Sequence, residues 1–328
     1  MAVQFITVRS EDNDIRLDRW FMRHYPDLKN GQLQRLLRGK NIRVNGKRAT
    51  TAQHLNVGDE IRVPPLTVAP KSDAPRDLSK ADVAFMKSLV IYKDEDVIVL
   101  NKPAGLAVQG GSKTERHIDG MLDALRFEQN EKPHLVHRLD KDTSGVLVLG
   151  RTAHAAAKLA EAFRSRDAHK VYWAVVVGKP KLLSGKIDAP LSKMSGAKGG
   201  EQMRIDFENG QKAITLYRTI DSLGKKASWL ELSPLTGRTH QLRVHMAEAL
   251  NTPIIGDGKY GGERSFAVGI EQNKKLHLHA RAIRLPHPNG KILEIQAELP
   301  KHMLDTFNFL GFNVGEVSDS IDYFIKGL

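Results

Sequence analysis

The sequence predicts an α+β protein with two domains, a small one at the N-terminus and a larger one of mixed α and β structure. Its 328 residues are too many for one ordinary core, and a hydrophobic share of 41% is enough to fold two. Between the two domains lies a stretch without hydrophobic periodicity. We place the small domain at 1–64, a linker at 65–88, the large domain at 89–314 and a C-terminal tail at 315–328.

The small domain begins with two helical patterns. Leu17, Trp20 and Phe21 have helical spacing within Arg16–His24, and a second short helix carries Leu33, Leu36 and Leu37. Each helix would bury one apolar stripe and display arginines on its other side.

A hairpin signal follows these helices. Asn45-Gly46 is the strongest short-range turn pattern, and it separates the strand candidates 41–44 and 47–49. The segment 57–63 supplies a turn and one more strand. From Pro64 to about Lys80 the composition turns to Pro, Ala, Ser, Lys and Asp, which is typical of a linker.

The large domain begins with a new apolar pattern. Its strand candidates are Val90–Tyr92, Val97–Leu100, Gly145–Leu149, Val171–Val176 and Trp229–Leu232, and its helix candidate is Ala155–Arg164. For the tail 315–328, a mobile segment and a small docked helix are both compatible with the sequence.

Basic residues are concentrated in the small domain. The whole chain carries a net charge of +12, and residues 16–48 contain ten Lys and Arg against two acidic residues, for a local charge of +8. Such a stretch suits a polyanion such as a nucleic acid. A merely solvated basic surface is an equally compatible interpretation.

Several classes of function are excluded or disfavoured by composition. The chain has no cysteine, so disulfides, thiolate metal sites and thiol nucleophiles are excluded. No apolar run approaches the roughly eighteen residues of a membrane span, and the N-terminus lacks a hydrophobic signal core. We therefore expect a cytoplasmic protein that does not insert into a membrane.

The densest group of reactive side chains is the segment His137–Gly145, His-Arg-Leu-Asp-Lys-Asp-Thr-Ser-Gly, directly before an apolar strand. Loop residues held by a rigid strand are frequent sites of catalysis. An aspartate with its ordinary pKa of about 3.9 is an anion at neutral pH and can act as nucleophile or base. From the residues alone, Asp140 and Asp142 could equally pair with Arg138 and Lys141 or cap a turn.

This segment resembles the central motif of the RluA/RluC-type pseudouridine synthases. Further matches follow in the order of the family across about residues 91–300: Asn101–Gly105, Lys170–Tyr172, Thr236–His245, Gly256–Asp257, Tyr260–Gly261, Leu278–Ala280 and His287–Pro288. The order of elements in the small domain resembles the alpha-L RNA-binding module of a small-subunit ribosomal protein. The resemblance implies a catalytic domain with a largely antiparallel sheet.

The resemblance also implies a reaction and its residues. Pseudouridine formation breaks the N-glycosidic bond of uridine and remakes it at carbon 5, which requires no cofactor and no metal. Asp140 would be the nucleophile, Arg238 the cation that holds it, and Tyr172 the residue that stacks on the base and removes the carbon-5 proton. The uridine must leave its helix to be reached. Arg138 would fill the vacated space, and Leu242 would form an apolar wall for the uracil.

The expected partner is large-subunit ribosomal RNA. The relatives that lack the N-terminal module are chiefly those that act on transfer RNA. The loop Ala107–Ser112 is closer to that of the RluC branch than to that of the RluD branch, although Gln109 replaces a His and Lys141 a common Arg. We expect a monomer that needs no protein partner. The remaining candidate RNA-binding residues are His137, Arg16, Arg19, Arg43 and Lys47.

Four alternatives to this interpretation fit the sequence less well. The spacing of 140–143 does not fit an aspartyl-phosphate enzyme, because Thr143 directly follows Asp142. His277 and His279 would point the same way on a strand, but a third metal ligand is not evident. The segment 110–114 lacks the glycine that a phosphate-binding loop needs before its lysine. A non-catalytic RNA-binding protein would have little reason to keep the three catalytic candidates together.

Overall fold

The computed structural model describes residues 3–8, 12, 14–25, 27–68, 78–110, 116–195, 201–266, 274–317 and 320–326. The chain divides into two compact units, Met1–Asp77 and Leu78–Leu328. None of the helices within those ranges is long and apolar enough to cross a membrane.

The first unit combines two helices with short strands. Its helices are α1 (Leu17–His24) and α2 (Asn30–Arg38), and its strands are β1 (Gln4–Thr7), β2 (Ile15–Arg16), β3 (Arg43–Val44), β4 (Lys47–Arg48), β5 (His54–Leu55) and β6 (Glu60–Val63). An antiparallel sheet has the order β1-β6-β3-β4, and β2 pairs with β5. The predicted apolar stripes are buried in its core, with Leu17 and Trp20 fully enclosed.

The hairpin between β3 and β4 follows from its turn residues. Asn45 and Gly46 both have positive φ, at 50° and 73°, as a two-residue turn between twisted strands requires. Asn45 also bonds Asp59 and the backbone N–H of Glu60, which ties the turn to β6.

The second unit contains most of the secondary structure. Its helices are α3 (Lys80–Ser88), α4 (Ile118–Met121), α5 (Ala153–Ser165), α6 (Gln241–Val244), α7 (Lys301–Leu310) and α8 (Ser320–Lys326). Its strands are β7 (Val90–Lys93), β8 (Val97–Lys102), β9 (His134–Leu135), β10 (Ser144–Gly150), β11 (His169–Val177), β12 (Ser184–Asp188), β13 (Leu191–Ser195), β14 (Glu201–Ile205), β15 (Ile214–Leu223), β16 (Ala227–Pro234), β17 (Leu278–Pro286) and β18 (Ile292–Gln296).

A ten-stranded sheet forms the centre of this unit. Its main path is β12-β15-β16-β11-β17-β10-β8-β7, with β18 on β17 and β9 on β10. Among the described strands, β10 and β17 make the one parallel pairing, so the sheet is mostly antiparallel as expected. Because β17 lies between β10 and β11, the loop before β10 is brought close to the first residues of β11.

A glycine allows the close approach of β10 and β17. Gly145 has a φ of 109°, and a Cβ at this position would lie 2.2 Å from the carbonyl oxygen of Ala280. Any side chain would therefore push the two strands apart directly behind the loop that carries Asp140. The glycine of the central motif is a packing requirement.

One segment of the second unit differs from the sequence interpretation, and for another the structure decides between two alternatives. The helix α3 lies within the segment that we assigned to the linker, and its Met86 is fully buried in the core of the second unit. Its short apolar stripe is hidden in a composition dominated by Lys, Asp and Ala. In the tail, α8 is docked, because Ile321 and Phe324 are buried and the helix packs on β11 and β17. Asp322 of α8 pairs with Arg284 at 2.7 Å.

Candidate active site

A cavity of about 490 Å³ opens beside the central motif in the second unit. Its walls come from the loop before β10, the end of α5 with the start of β11, the segment 234–243 and Leu278 of β17. Asp140, Tyr172, Arg238, Leu242, His137 and Arg138 all line it, so the structure brings together every site residue that we predicted in the second domain.

The loop that carries Asp140 is anchored by hydrogen bonds from Lys102. The fully buried Lys102 ammonium donates to the carbonyl oxygens of Pro103, Leu106 and Lys141 at 2.9–3.0 Å. Gly105 N–H donates to the same Lys141 carbonyl. Burial lowers the pKa of Lys102 to about 8, against the opposing charges of Asp142 and Asp140. Lys102 thereby fixes the backbone next to Asp140.

His240 is the side chain that pairs with Asp140 among the described residues, with 3.8 Å between Nε2 and Oδ2. Its Nδ1 lies 2.6 Å from the Tyr260 hydroxyl, which accepts from Met203 N–H. The Tyr260 hydroxyl can thus donate its own proton to Nδ1, which leaves the Nε2 proton to face Asp140. His240 has a φ of 54°, an unusual conformation for a residue other than glycine that is often found at functional sites.

A buried ion pair lies behind His240. Arg243 donates from Nε and Nη2 to the two oxygens of Asp257, at 2.8 and 2.7 Å. Both side chains are nearly inaccessible. Burial acts to lower the pKa of Arg243, but the hydrogen bonds and charge of Asp257 raise it, so Arg243 stays a cation. The charge of Asp140 acts in the same direction on the pKa of Arg243, so this ion pair lies within electrostatic reach of Asp140.

Tyr172 lines the cavity from β11 at a β-bulge. The register between β11 and β17 shifts between Val171 and Tyr172, a feature that redirects side chains beside active sites. Burial, followed by the charge of Asp140, raises the pKa of Tyr172 above its ordinary value. Leu242 and Leu278 are buried beside it and complete an apolar wall.

His137 has a structural role that the sequence did not indicate. Its Nε2 accepts from Val148 N–H at 2.8 Å, and its ring stacks on Phe163 with centroids 4.4 Å apart. Burial, together with the charge of Lys170, lowers the pKa of His137 to about 3, so the ring is neutral at pH 7. The His137 ring anchors the motif to β10, while the neighbouring Arg138 is exposed at the cavity.

Arg238 does not hold Asp140 in this structure. Its exposed side chain donates from Nε to the carbonyl oxygen of Lys212 at 3.1 Å. Within the described part of the chain, no ion pair joins Arg238 to Asp140. The expected contact would need a rotation of the Arg238 side chain.

Comparisons with known proteins bear on this site. Residues 96–248, which include Asp140, Tyr172 and Arg238, match the family model described as RNA pseudouridylate synthase. Ribosomal large subunit pseudouridine synthase C of Rickettsia felis is 37% identical, over 89% of this chain and 95% of its own length. The chain belongs to the RNA pseudouridine synthase family. It is therefore an isomerase that acts on RNA.

Two further relatives agree with this assignment. RNA pseudouridine synthase 4, mitochondrial, of Arabidopsis thaliana is 37% identical, over 89% of this chain and 78% of its own length. The solved structure of human RNA pseudouridylate synthase domain containing 4 superimposes with a TM-score of 0.60 at 31% identity, over 71% of this chain and 98% of that one. The ten-stranded sheet is thus the pseudouridine synthase fold.

The two histidines of the metal alternative are engaged in other contacts. His277 bonds the Thr306 hydroxyl, and His279 bonds the Ser144 hydroxyl, so both rings are already engaged. Among the described residues, no group of three or more His, Asp or Glu is arranged to hold a metal ion. Of the candidate phosphate loop 110–114, residues 111–114 lie outside the described residues.

The four predicted RNA-binding residues of the first unit are not equivalent. Arg16 is paired with Asp18 at 2.6 Å, and Arg43 donates to the carbonyl of Gly46. Arg19 and Lys47 form no side-chain hydrogen bond or ion pair with the rest of the described chain. Arg19 and Lys47 are therefore the two with the most freedom to meet a phosphate.

Three residues with contacts at the site lie inside motifs that were recognised in the sequence, but their individual contacts were not predicted. Lys102 was seen only as part of Asn101–Gly105, and His240 and Arg243 only as part of Thr236–His245. The signal that could have drawn attention to Lys102 is a lysine at the end of an otherwise apolar strand, since a charge there must be satisfied when buried.

Proposed function

We propose that the synthase converts specific uridines of large-subunit ribosomal RNA to pseudouridine, with Asp140 as the nucleophile acting on a flipped-out uridine. The relatives named ribosomal large subunit pseudouridine synthase C support this choice of RNA. The observation that carries the proposed mechanism is the position of Asp140. Among the described residues that line the cavity, it is the one carboxylate, and it shares the cavity with the apolar wall of Tyr172, Leu242 and Leu278.

The shape of the site suits one nucleotide. A cavity of about 490 Å³ lies within the range of roughly 300–1,000 Å³ of small-molecule pockets. Its buried leucines and Tyr172 offer a flat base apolar contact and stacking, which offset an unstacking cost of a few kcal/mol. Arg138 is exposed in the same loop as Asp140, where it can occupy the space that the flipped base leaves.

The reaction conserves all atoms of the nucleotide. The bond between N1 and the sugar carbon breaks, the base rotates, and a bond from carbon 5 to the same sugar carbon forms. The proton on carbon 5 must leave, and N1 gains a proton. We assign proton removal to Tyr172. Because its raised pKa keeps the phenol protonated at neutral pH, this role requires an acceptor for the phenol proton. Asp140 is the adjacent anion once its bond to the nucleotide has broken, and the proton that N1 gains balances the one that carbon 5 loses.

We assign Arg238 to the RNA-bound state. In the free protein its guanidinium bonds the Lys212 carbonyl at the cavity mouth. A substrate that displaces this contact would allow Arg238 to turn toward Asp140 or toward the nucleotide. In the free protein Arg238 does not contact Asp140, and His240 is the residue whose ring lies near the Asp140 carboxylate.

Tritium release from carbon-5-labelled uridine in large-subunit ribosomal RNA tests the proposal. Asp140→Asn should bind RNA like the unmodified chain and release no tritium, because the amide cannot act as nucleophile. Asp305→Asn is the control, since Asp305 is an exposed carboxylate of α7 outside the cavity, and it should retain turnover. Continued release by Asp140→Asn would remove Asp140 from the nucleophile role. Mapping of pseudouridines in a deletion strain would identify the RNA, and unchanged large-subunit positions would refute that substrate.

A further inference from the structure

Three cations line the cavity without a role in the proposed chemistry. Arg164 and Arg166 lie at the C-terminal end of α5, and Lys170 lies in β11. Arg164 and Arg166 are exposed, whereas Lys170 is partly buried. These three residues are called the cationic rim below.

The cationic rim lacks an anionic partner. Across the described ranges, none of its three side chains forms an ion pair or a side-chain hydrogen bond. The carboxylate nearest in sequence, Asp167, does not line the cavity and accepts from the Ser165 hydroxyl at 2.5 Å. Burial lowers the pKa of Lys170, and the neighbouring charge of Arg166 lowers it further.

Arg166 is held in a costly conformation. It follows the last residue of α5 with a φ of 72°, in the left-handed region that helix ends usually fill with glycine or asparagine. The backbone here favours a small residue, but the chain has an arginine, whose guanidinium lies at the cavity. Strain of this kind is common where a side chain serves a ligand.

The cavity has an apolar interior and a charged mouth. Leu242 and Leu278 are buried to 7% and 3% exposure, which suits an uncharged base. A nucleotide whose base enters this interior must leave its two phosphates at the mouth, because they continue into the strand. Exposed arginines are suited to phosphate, which they bind with paired N–H donors.

We propose that the cationic rim binds the backbone phosphates that flank the flipped uridine. This inference rests on the proposed function, since it assumes that RNA delivers one nucleotide to the cavity. The rim cations then compensate the repulsion between the phosphates and the anionic Asp140.

Charge-removing variants of the full chain test the rim. Arg164→Gln suits a helix, and Arg166→Asn keeps a residue that tolerates positive φ. The double variant should raise the KM and Kd for single-stranded substrate RNA about tenfold or more, and it should change kcat less than KM. The slope of log Kd against log salt should fall by about 0.7 for each phosphate that the variant no longer neutralises. Lys225→Gln, an exposed charge removal in the β15–β16 turn, is the control and should leave these values unchanged.

RNA in which one backbone phosphate is replaced by an uncharged methylphosphonate tests whether the rim binds phosphate. A methylphosphonate on either side of the target uridine removes one backbone charge and keeps the base. The unmodified chain should bind such RNA about tenfold more weakly. The double variant should be weakened less by the same methylphosphonate, because Lys170 is then the one rim cation left to bind a flanking phosphate. Equal weakening in both proteins would overturn the proposal, as would unchanged RNA affinity in the double variant, the result expected if the rim served an acidic protein.

The binding measurements separate this proposal from the proposed function. They need no turnover and can be repeated in the Asp140→Asn background. If the unmodified chain released no tritium from ribosomal RNA, the proposed function would fail, while the methylphosphonate comparison would still judge the rim. If turnover occurred and the rim variants bound and reacted like the unmodified chain, the rim proposal alone would fail. Circular dichroism would establish that each variant is folded.

Discussion

His240 lies between Asp140 and Tyr260, with Nε2 3.8 Å from the Asp140 carboxylate and Nδ1 2.6 Å from the Tyr260 hydroxyl. Burial lowers the pKa of His240 below its ordinary 6.5, although the charge of Asp140 acts to raise it. At neutral pH the imidazole is therefore neutral, and it lies beside the carboxylate without neutralising its charge. As the pH falls, an imidazolium would form and pair with the nucleophile.

This arrangement predicts a specific pH profile. Turnover of the unmodified chain should decline on the acidic side, below the ordinary histidine pKa of 6.5, as His240 takes up its proton. His240→Asn keeps a residue that tolerates positive φ, and it should lower kcat at pH 7.5 but flatten the acidic decline. Single-turnover tritium release between pH 5 and pH 8 measures both effects. His154→Asn, at an exposed position of α5, should keep the original profile. An unaltered decline in His240→Asn would assign it to another group.

Tyr172 offers a separate test of proton removal. Tyr172→Phe keeps the ring that stacks on the base and deletes the hydroxyl, so RNA binding should persist. If the hydroxyl takes part in proton transfer, tritium release should fall about 100-fold or more. The raised pKa of Tyr172 also predicts the direction of the pH dependence. The rate of tritium release by the unmodified chain should continue to rise above pH 8, since the phenol loses its proton only in alkaline solution. Near-normal release by Tyr172→Phe would leave Tyr172 with stacking alone.

Local features of this fold were predictable from the sequence. The Asn45-Gly46 turn, the stripe of α1 and the buried strand β10 each depend on residues a few positions apart. The periodicity of such segments reports directly on their structure. The ordered motifs then indicated which segments meet at the site, and the cavity brings those residues together.

Side-chain contacts between segments that are distant in sequence were not predictable. Lys102 contacts the Lys141 carbonyl because β8 and β10 are neighbours, and His240 meets Asp140 only after β11, β16 and β17 have assembled. The direction of a side chain is equally a tertiary property. His137 therefore turned out to anchor its loop to Val148, and Arg238 to bond the Lys212 carbonyl. The helix α3 was assigned to a linker because its burial depends on residues that it meets only in the fold.

The basic face of the first unit should contribute in proportion to the freedom of its side chains. Arg19→Gln and Lys47→Gln should each lower the slope of log Kd against log salt by about 0.7 to 0.9 if each meets one phosphate. Arg16→Gln should have a smaller effect, because Asp18 already holds the Arg16 guanidinium at 2.6 Å. Filter binding of ribosomal RNA fragments at several salt concentrations gives the slopes, with Lys225→Gln as the control in the second unit. Unchanged slopes for Arg19→Gln and Lys47→Gln would mean that this face is only solvated.

His279 links the stability of the site to pH. It is fully buried behind the motif, with Nδ1 2.9 Å from the Ser144 hydroxyl, and burial lowers its pKa to about 3. Below pH 6.5, the ordinary value, the unfolded chain takes up a proton that the folded chain refuses. Stability is therefore lost as the pH falls from 6.5 toward 3, by up to about 2 kcal/mol at pH 5.

His279→Gln removes this titration. The difference in unfolding free energy between pH 7 and pH 5, measured by urea denaturation, should shrink by up to about 2 kcal/mol relative to the unmodified chain. Any general loss of stability in the variant cancels in this difference. His154→Gln, whose side chain is exposed, should keep the full difference. If all three proteins lost the same stability between the two pH values, His279 would be protonated in the fold, and the Ser144 hydroxyl would then have to accept the Nδ1 proton rather than donate to that nitrogen.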